Sequence, residues 1–86
     1  MAKTEFRYDI VQEFDTISET ESSTGVRYVK EVNLVAYGDA EPKYDIRNWT
    51  IATDGTRRMG KGITLSREEM KKLRDVLNDM EEELKD

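Results

Sequence analysis

Apolar and polar residues alternate along residues 6–18, FRYDIVQEFDTIS, with Phe6, Tyr8, Ile10 and Phe14 falling on one side. A period of two predicts a long strand, with an irregularity near Gln12 where the alternation slips. The polar run ETESSTG at 19–25 follows and reads as a hairpin loop. Residues 26–37, VRYVKEVNLVAY, are rich in valine and tyrosine and predict a second strand. GDAEP at 38–42 is a turn, and Pro42 restricts Glu41 to extended backbone. A third strand is predicted over 43–53, a loop over DGTRRMGKG at 54–62, and a short fourth strand at about 62–65.

The period then changes. Ser66-Arg67-Glu68-Glu69 is a capping box: the Ser66 hydroxyl can accept from the Glu69 N–H while the Glu69 carboxylate reaches back to the Ser66 N–H. Beyond it, Met70, Leu73, Leu77, Met80 and Leu84, with Val76 alongside, recur in steps of three and four. That is one apolar stripe on a helix over 67–84, about 27 Å long. Four strands followed by one helix predict a single α+β domain over residues 1–86, with the helix on one sheet face. The stripe serves either as core or as the seam of a symmetric dimer.

On the third strand Tyr44, Ile46, Asn48 and Thr50 point one way, and Asp45, Arg47, Trp49 and Ile51 the other. If Ile46 faces the helix, Arg47 and Trp49 lie on the open face. The competing assignment makes Trp49 a core residue with Arg47 a solvated neighbour, and periodicity alone does not separate the two.

Charge separates the chain into zones. The formal net charge is -5, yet residues 43–62 carry five basic and two acidic side chains, for +3. Residues 1–42 stand at -5 and residues 63–86 at -3. The asymmetry, not the sum, is the informative quantity. A cationic segment beside an aromatic supplies what a single nucleic-acid strand needs: charge for phosphates and a flat face for bases. Lys43, Arg47, Arg57, Arg58 and Lys61 are the candidate phosphate contacts and Trp49 the candidate stacking residue. Taken without the aromatic strand, Arg57, Arg58 and Lys61 read as an ordinary solvated turn.

Cysteine and histidine are both absent. This removes disulfides, thiolate metal sites, a cysteine nucleophile and the commonest general base and zinc ligand. No arrangement for nucleophilic catalysis exists, so the chain reads as a non-enzyme without cofactor or metal. GTRRMGK at 55–61 matches the first part of a phosphate-binding P-loop. Gly62 stands where the magnesium-holding hydroxyl is required, and a strand-like ITL follows instead of a helix, which rejects the motif. Asn48-Trp49-Thr50 is a chance glycosylation triplet. No apolar run approaches the ~20 residues of a membrane span, and the N-terminus lacks a signal-peptide core. The expectation is a cytoplasmic protein, nucleoid-associated if bacterial.

AEPKYDIRNW (40–49), MGKGITLS (59–66) and the amphipathic helix together resemble the YdbC branch of the positive cofactor four family, the single-stranded DNA-binding domain of a transcriptional coactivator. The resemblance covers residues 26–84 and rests on the joint spacing of Asp45-Ile46-Arg47, Trp49 and Lys61-Gly62-Ile63-Thr64-Leu65. It implies a curved four-stranded antiparallel sheet and a homodimer formed through the helices by Met70, Leu73, Leu77, Met80 and Leu84. It also implies nucleic acid lying across the sheets. By the same resemblance Arg47, Lys61 and Gly62 fall at DNA-contacting positions. Trp49 matches the stacking aromatic with a spacing one residue shorter, and Tyr37 is a second, looser stacking candidate.

Two functions from different classes remain. The first is a dimeric, sequence-tolerant binder of single-stranded DNA, with RNA as a second ligand, serving transcription, replication or repair and meeting the proteins of those processes. The second is an acidic dimeric protein-interaction domain that binds no nucleic acid.

Overall fold

The structure, a computed structural model, describes residues 7–86. Strands β1 (Tyr8–Glu21), β2 (Arg27–Tyr37), β3 (Lys43–Ile51) and β4 (Arg57–Leu65) are followed by helices α1 (Arg67–Asp79) and α2 (Glu81–Leu84). The strands form one open antiparallel sheet in the order β1-β2-β3-β4. The α+β class, the antiparallel sheet and the C-terminal helix are as the sequence predicts.

The strand bounds differ most in β1 and β4; β3 also ends two residues early, at Ile51. β1 runs to Glu21 and slips register three times against β2, between Ile10 and Gln12, Glu13 and Asp15, and Thr16 and Ser18. Each slip inserts a bulge residue, so Val11, Phe14 and Ile17 sit out of register, exposed. The expected single face for Tyr8, Ile10 and Phe14 is thereby broken. Tyr8 meets Trp49, whereas Phe14 stacks on Tyr44, whose side chain lies on the opposite face of the sheet. Phe6 lies outside the described residues.

β4 begins at Arg57, five residues before the expected start. The preceding turn closes in a few residues, with Gly55 N donating to Ala52 O (2.9 Å) and Ala52 N to Thr56 O (2.8 Å). Gly55 adopts φ +91°, which an L side chain resists. Asp54 accepts from the Thr56 N–H at 2.9 Å, and that bond holds its carboxyl below the usual range.

Cross-strand partners share a face, which divides the sheet cleanly. One face carries Val29, Glu31, Asn33 and Val35 of β2 opposite Trp49, Arg47, Asp45 and Lys43 of β3. Val29, Val35, Trp49, Asn33 and Asp45 are all buried there. Tyr8 pairs with Tyr37, and Trp49 with Val29, eight residues away along β2. On a flat strand that offset is about 26 Å. The Tyr8 and Trp49 rings are nonetheless 5.6 Å apart, so the sheet coils to fold one corner over the other. The core sits inside that coil.

The assignment of Arg47 and Trp49 to an open face is therefore inverted. Trp49 is 1% exposed, and Ile46 belongs to the outer face. A tryptophan is the largest apolar surface this chain has, and its burial outweighs the cost of taking Arg47 partly inside once Asp45 neutralises it.

The capping box is formed as read, with Glu69 N donating to Ser66 Oγ (3.1 Å) and Ser66 N to Glu69 Oε1 (2.8 Å). The expected single helix breaks at Met80, whose ψ of 8° separates α1 from α2. Among the sheet strands α1 touches β3 and β4 alone, and it buries no residue completely. Met70 and Leu73 are half-buried, while Val76, Leu77, Met80 and Leu84 are exposed.

Candidate nucleic-acid interface

The site is built by how closely β4 approaches β3. A Cβ on Gly62 would overlap the Cβ of Arg47, and one on Gly60 would lie 2.9 Å from the Asn48 carbonyl oxygen. Two glycines are thus what lets RRMGKG pair as a strand. The register slips between Arg47 and Trp49: Arg47 opposes Gly62 and Trp49 opposes Met59. Gly60 and Lys61 fill that bulge.

Inside the coil, Arg47 is committed to the protein. Its Nε donates to both oxygens of Asp45 (3.0 and 2.8 Å) and its Nη2 to Asp45 Oδ1 (2.7 Å). Nη2 also reaches the Tyr37 hydroxyl (3.2 Å), and Nη1 donates to the Gly60 carbonyl (2.9 Å). The Tyr37 hydroxyl in turn donates to Asp45 Oδ1 at 2.9 Å. Hydrogen bonding to Asp45 holds the Arg47 guanidinium more firmly ionised than usual. Burial, then the bond to Asp45, pushes the Tyr37 phenol above its ordinary value. Arg57 pairs with Glu31 at 2.6 Å and lays its guanidinium 4.7 Å over the Trp49 ring. Of the residues the sequence singles out, then, Arg47 and Tyr37 share one cluster with Asp45, and Arg57 and Trp49 a second with Glu31. Trp49 in particular presents no open ring for a base, contrary to the expectation. Gly62 acts through the close approach it permits.

Lys43, at the start of β3, is exposed but lies opposite Val35, on the coil face. Arg58 and Lys61 belong to the other face. Arg58 opposes Thr50, which opposes Tyr28; Asn48 opposes Lys30; and Ile63 opposes Ile46. Lys30, Ile46, Asn48, Lys61 and Ile63 line one shallow depression there, to which Arg47 and Gly62 also contribute. Lys30, Arg58 and Lys61 are exposed and make no ion pair among the described residues. Tyr28 and Ile63 are 48% and 56% exposed. The positions that β2, β3 and β4 contribute to this face include no carboxylate. It has a cationic half (Tyr28, Lys30, Asn48, Thr50, Arg58, Lys61) and an apolar half next to the start of α1 (Val32, Leu34, Tyr44, Ile46, Leu65).

Tyr28, Lys30, Asn48 and Ile63 are absent from the sequence-based candidates. Their signal was present but conditional: once Trp49 is taken as core, alternation sends Asn48 and its β2 neighbours outward. Chemically, the cationic half can hold a phosphate backbone with three positive side chains. Tyr28 and Ile63 offer flat or apolar surface to bases, and Asn48 offers both a donor and an acceptor.

Comparison with known proteins gives the family of the chain. The family described as Transcriptional Coactivator p15 (PC4) matches residues 28–76, which span β2 to most of α1. An uncharacterised protein of Treponema pallidum (strain Nichols) is 34% identical over 76 residues, covering 88% of this chain and 81% of its own.

Proposed function

Because the chain belongs to the Transcriptional Coactivator p15 (PC4) family, we propose that it is a homodimeric, largely sequence-independent single-stranded DNA-binding protein with a role in transcription, replication or repair, able to take RNA by the same contacts. The family's binding of single-stranded DNA supports the ligand class. The observation that carries the reading is the cationic half-face: Lys30, Arg58 and Lys61 without ion-pair partners among the described residues, beside exposed Tyr28, on a chain of net charge -5. Acidic β1 and the glutamate-rich helix end repel phosphates, which favours this face as the route for a phosphate chain.

The dimer rests on what the single chain leaves uncovered. Its radius of gyration is 15.6 Å, against about 12 Å for a compact domain of this length. The apolar side of α1 and the apolar half of the outer face are the surfaces a second copy would cover. Titration of fluorescein-labelled oligo-dT tests the binding reading. Tyr28→Ala should weaken binding by about 1–3 kcal/mol, the range for a stacked base, while Lys43→Ala leaves it unchanged. No binding by the wild-type chain would refute it.

One observation favours the protein-interaction reading as a second. Edge strand β1 exposes Val11, Phe14 and Ile17 between five carboxylates, a surface suited to a partner protein and not to a phosphate chain. The same titration separates the two.

A further inference from the structure

We infer that Arg47 is a positioning residue and not a phosphate contact: the Asp45–Arg47 pair is a strut that fixes the β4 bulge and thereby sets Lys61 on the outer face. This deepens the binding reading above and rests on it.

Arg47 has five N–H groups. Nε–H and one Nη2–H go to Asp45, the second Nη2–H to the Tyr37 hydroxyl, and one Nη1–H to the Gly60 carbonyl. A single N–H is left over. Asp45 is wholly buried and the Arg47 side chain is 14% exposed. Turning the guanidinium out to a phosphate would strand a buried carboxylate, which is strongly unfavourable. The cation is therefore spent inside.

The strut reaches the bulge by two routes. The Nη1 bond grips the carbonyl of Gly60, the residue directly before Lys61. The Arg47 Cβ fills the space left by the missing side chain of Gly62, the residue directly after it. Lys61 is held from both sides by one residue on the opposite face of β3. Lys61 lines the outer depression with Lys30 and Asn48, and Arg47 and Gly62 contribute to the same lining. A loose bulge would let Lys61 sample many directions, and each phosphate contact would then cost the entropy of re-ordering it.

Two substitutions distinguish a strut from a contact. Arg47→Lys keeps the positive charge and can still meet Asp45. A single ammonium cannot also span the Gly60 carbonyl and the Tyr37 hydroxyl as a planar fork does. Asp45→Asn removes the partner; a contacting Arg47 would then be released and bind oligo-dT more tightly. For a strut, both variants weaken oligo-dT binding by roughly three- to tenfold, within the coupling range of groups in one hydrogen-bonded network. Adding Lys61→Ala to Arg47→Lys then costs less than it does in the wild type. Amide hydrogen exchange, measured without nucleic acid, is the structural readout: Arg47→Lys should speed exchange at Lys61 and Gly62 while the β2 amides stay protected. It keeps the test valid if Asp45→Asn fails to fold.

Wild-type affinity in Arg47→Lys, full additivity with Lys61→Ala, tighter binding by Asp45→Asn, or unchanged exchange at the bulge would each overturn the inference. A wild-type chain that ignores oligo-dT while Arg47→Lys still loosens the bulge would overturn the binding reading and the role of Lys61, leaving the strut as architecture alone.

Discussion

Trp49 and Tyr28 are the two aromatics the structure sets apart, the first buried and the second exposed. Trp49 lies at the centre of the coil, against Tyr8 and beneath Arg57. Trp49→Ala should therefore cost about 3–5 kcal/mol of stability in urea unfolding, the range for a buried aromatic. A loss under 1 kcal/mol would mean that the ring is not core. Tyr37 carries a pH signature. Its phenol is pushed up by burial and by Asp45, so the folded state favours the protonated form. The stability this contributes is complete below the ordinary tyrosine value of about 10. It is lost as pH rises through the folded value. Unfolding midpoints measured from pH 8 upward should fall less steeply in Tyr37→Phe than in the wild type; parallel curves would show that the hydroxyl is not held. The alternation of β3 was legible residue by residue, but not which set goes inside. Asp45, Arg47 and Trp49 read as polar, charged and aromatic, and only the ion pair formed in three dimensions makes that set buriable.

Among the elements, α1 was the most legible because its signals are local. The capping box needs four consecutive residues and the stripe one turn after another. The break at Met80 was not, since no proline or glycine marks it. β4 was the least legible. Three basic residues and two glycines look like a loop until the opposing strand supplies a reason for the glycines. Gly62→Ala tests that reason. The added methyl has no space beside Arg47 Cβ, so β4 must shift, and unfolding should show a loss of more than 1 kcal/mol, as overpacking does. A neutral substitution would mean that β4 has room to move. β1 shows the opposite failure. Its apolar residues are visible in sequence, but three bulges scatter them over both faces, and a strict period of two cannot anticipate register slips.

At the scale of the whole molecule, a thin core and a helix with no buried residue leave apolar surface uncovered. Leu77, 46% exposed on α1, lies on the stripe assigned to the second copy. The proposed assembly predicts a wild-type dimer by light scattering at micromolar concentration, and monomers or unfolded chains for Leu77→Glu; a wild-type monomer would refute it. On the proposed function the two halves of the outer face divide the work, the apolar half toward a second copy and the cationic half toward the strand. The central claim is that this cationic half, and not the Arg47–Trp49 face, meets nucleic acid. Its most direct test is the salt dependence of oligo-dT affinity. Three cations per protomer, at about 0.7 per single-strand phosphate contact, predict a slope of log K against log[salt] near -2 for each strand bound. Lys61→Ala or Lys30→Ala should each make it shallower by about 0.7, and Lys43→Ala should leave it unchanged. A slope that ignores Lys30 and Lys61 but flattens with Lys43 would place the strand on the coil face and contradict the account.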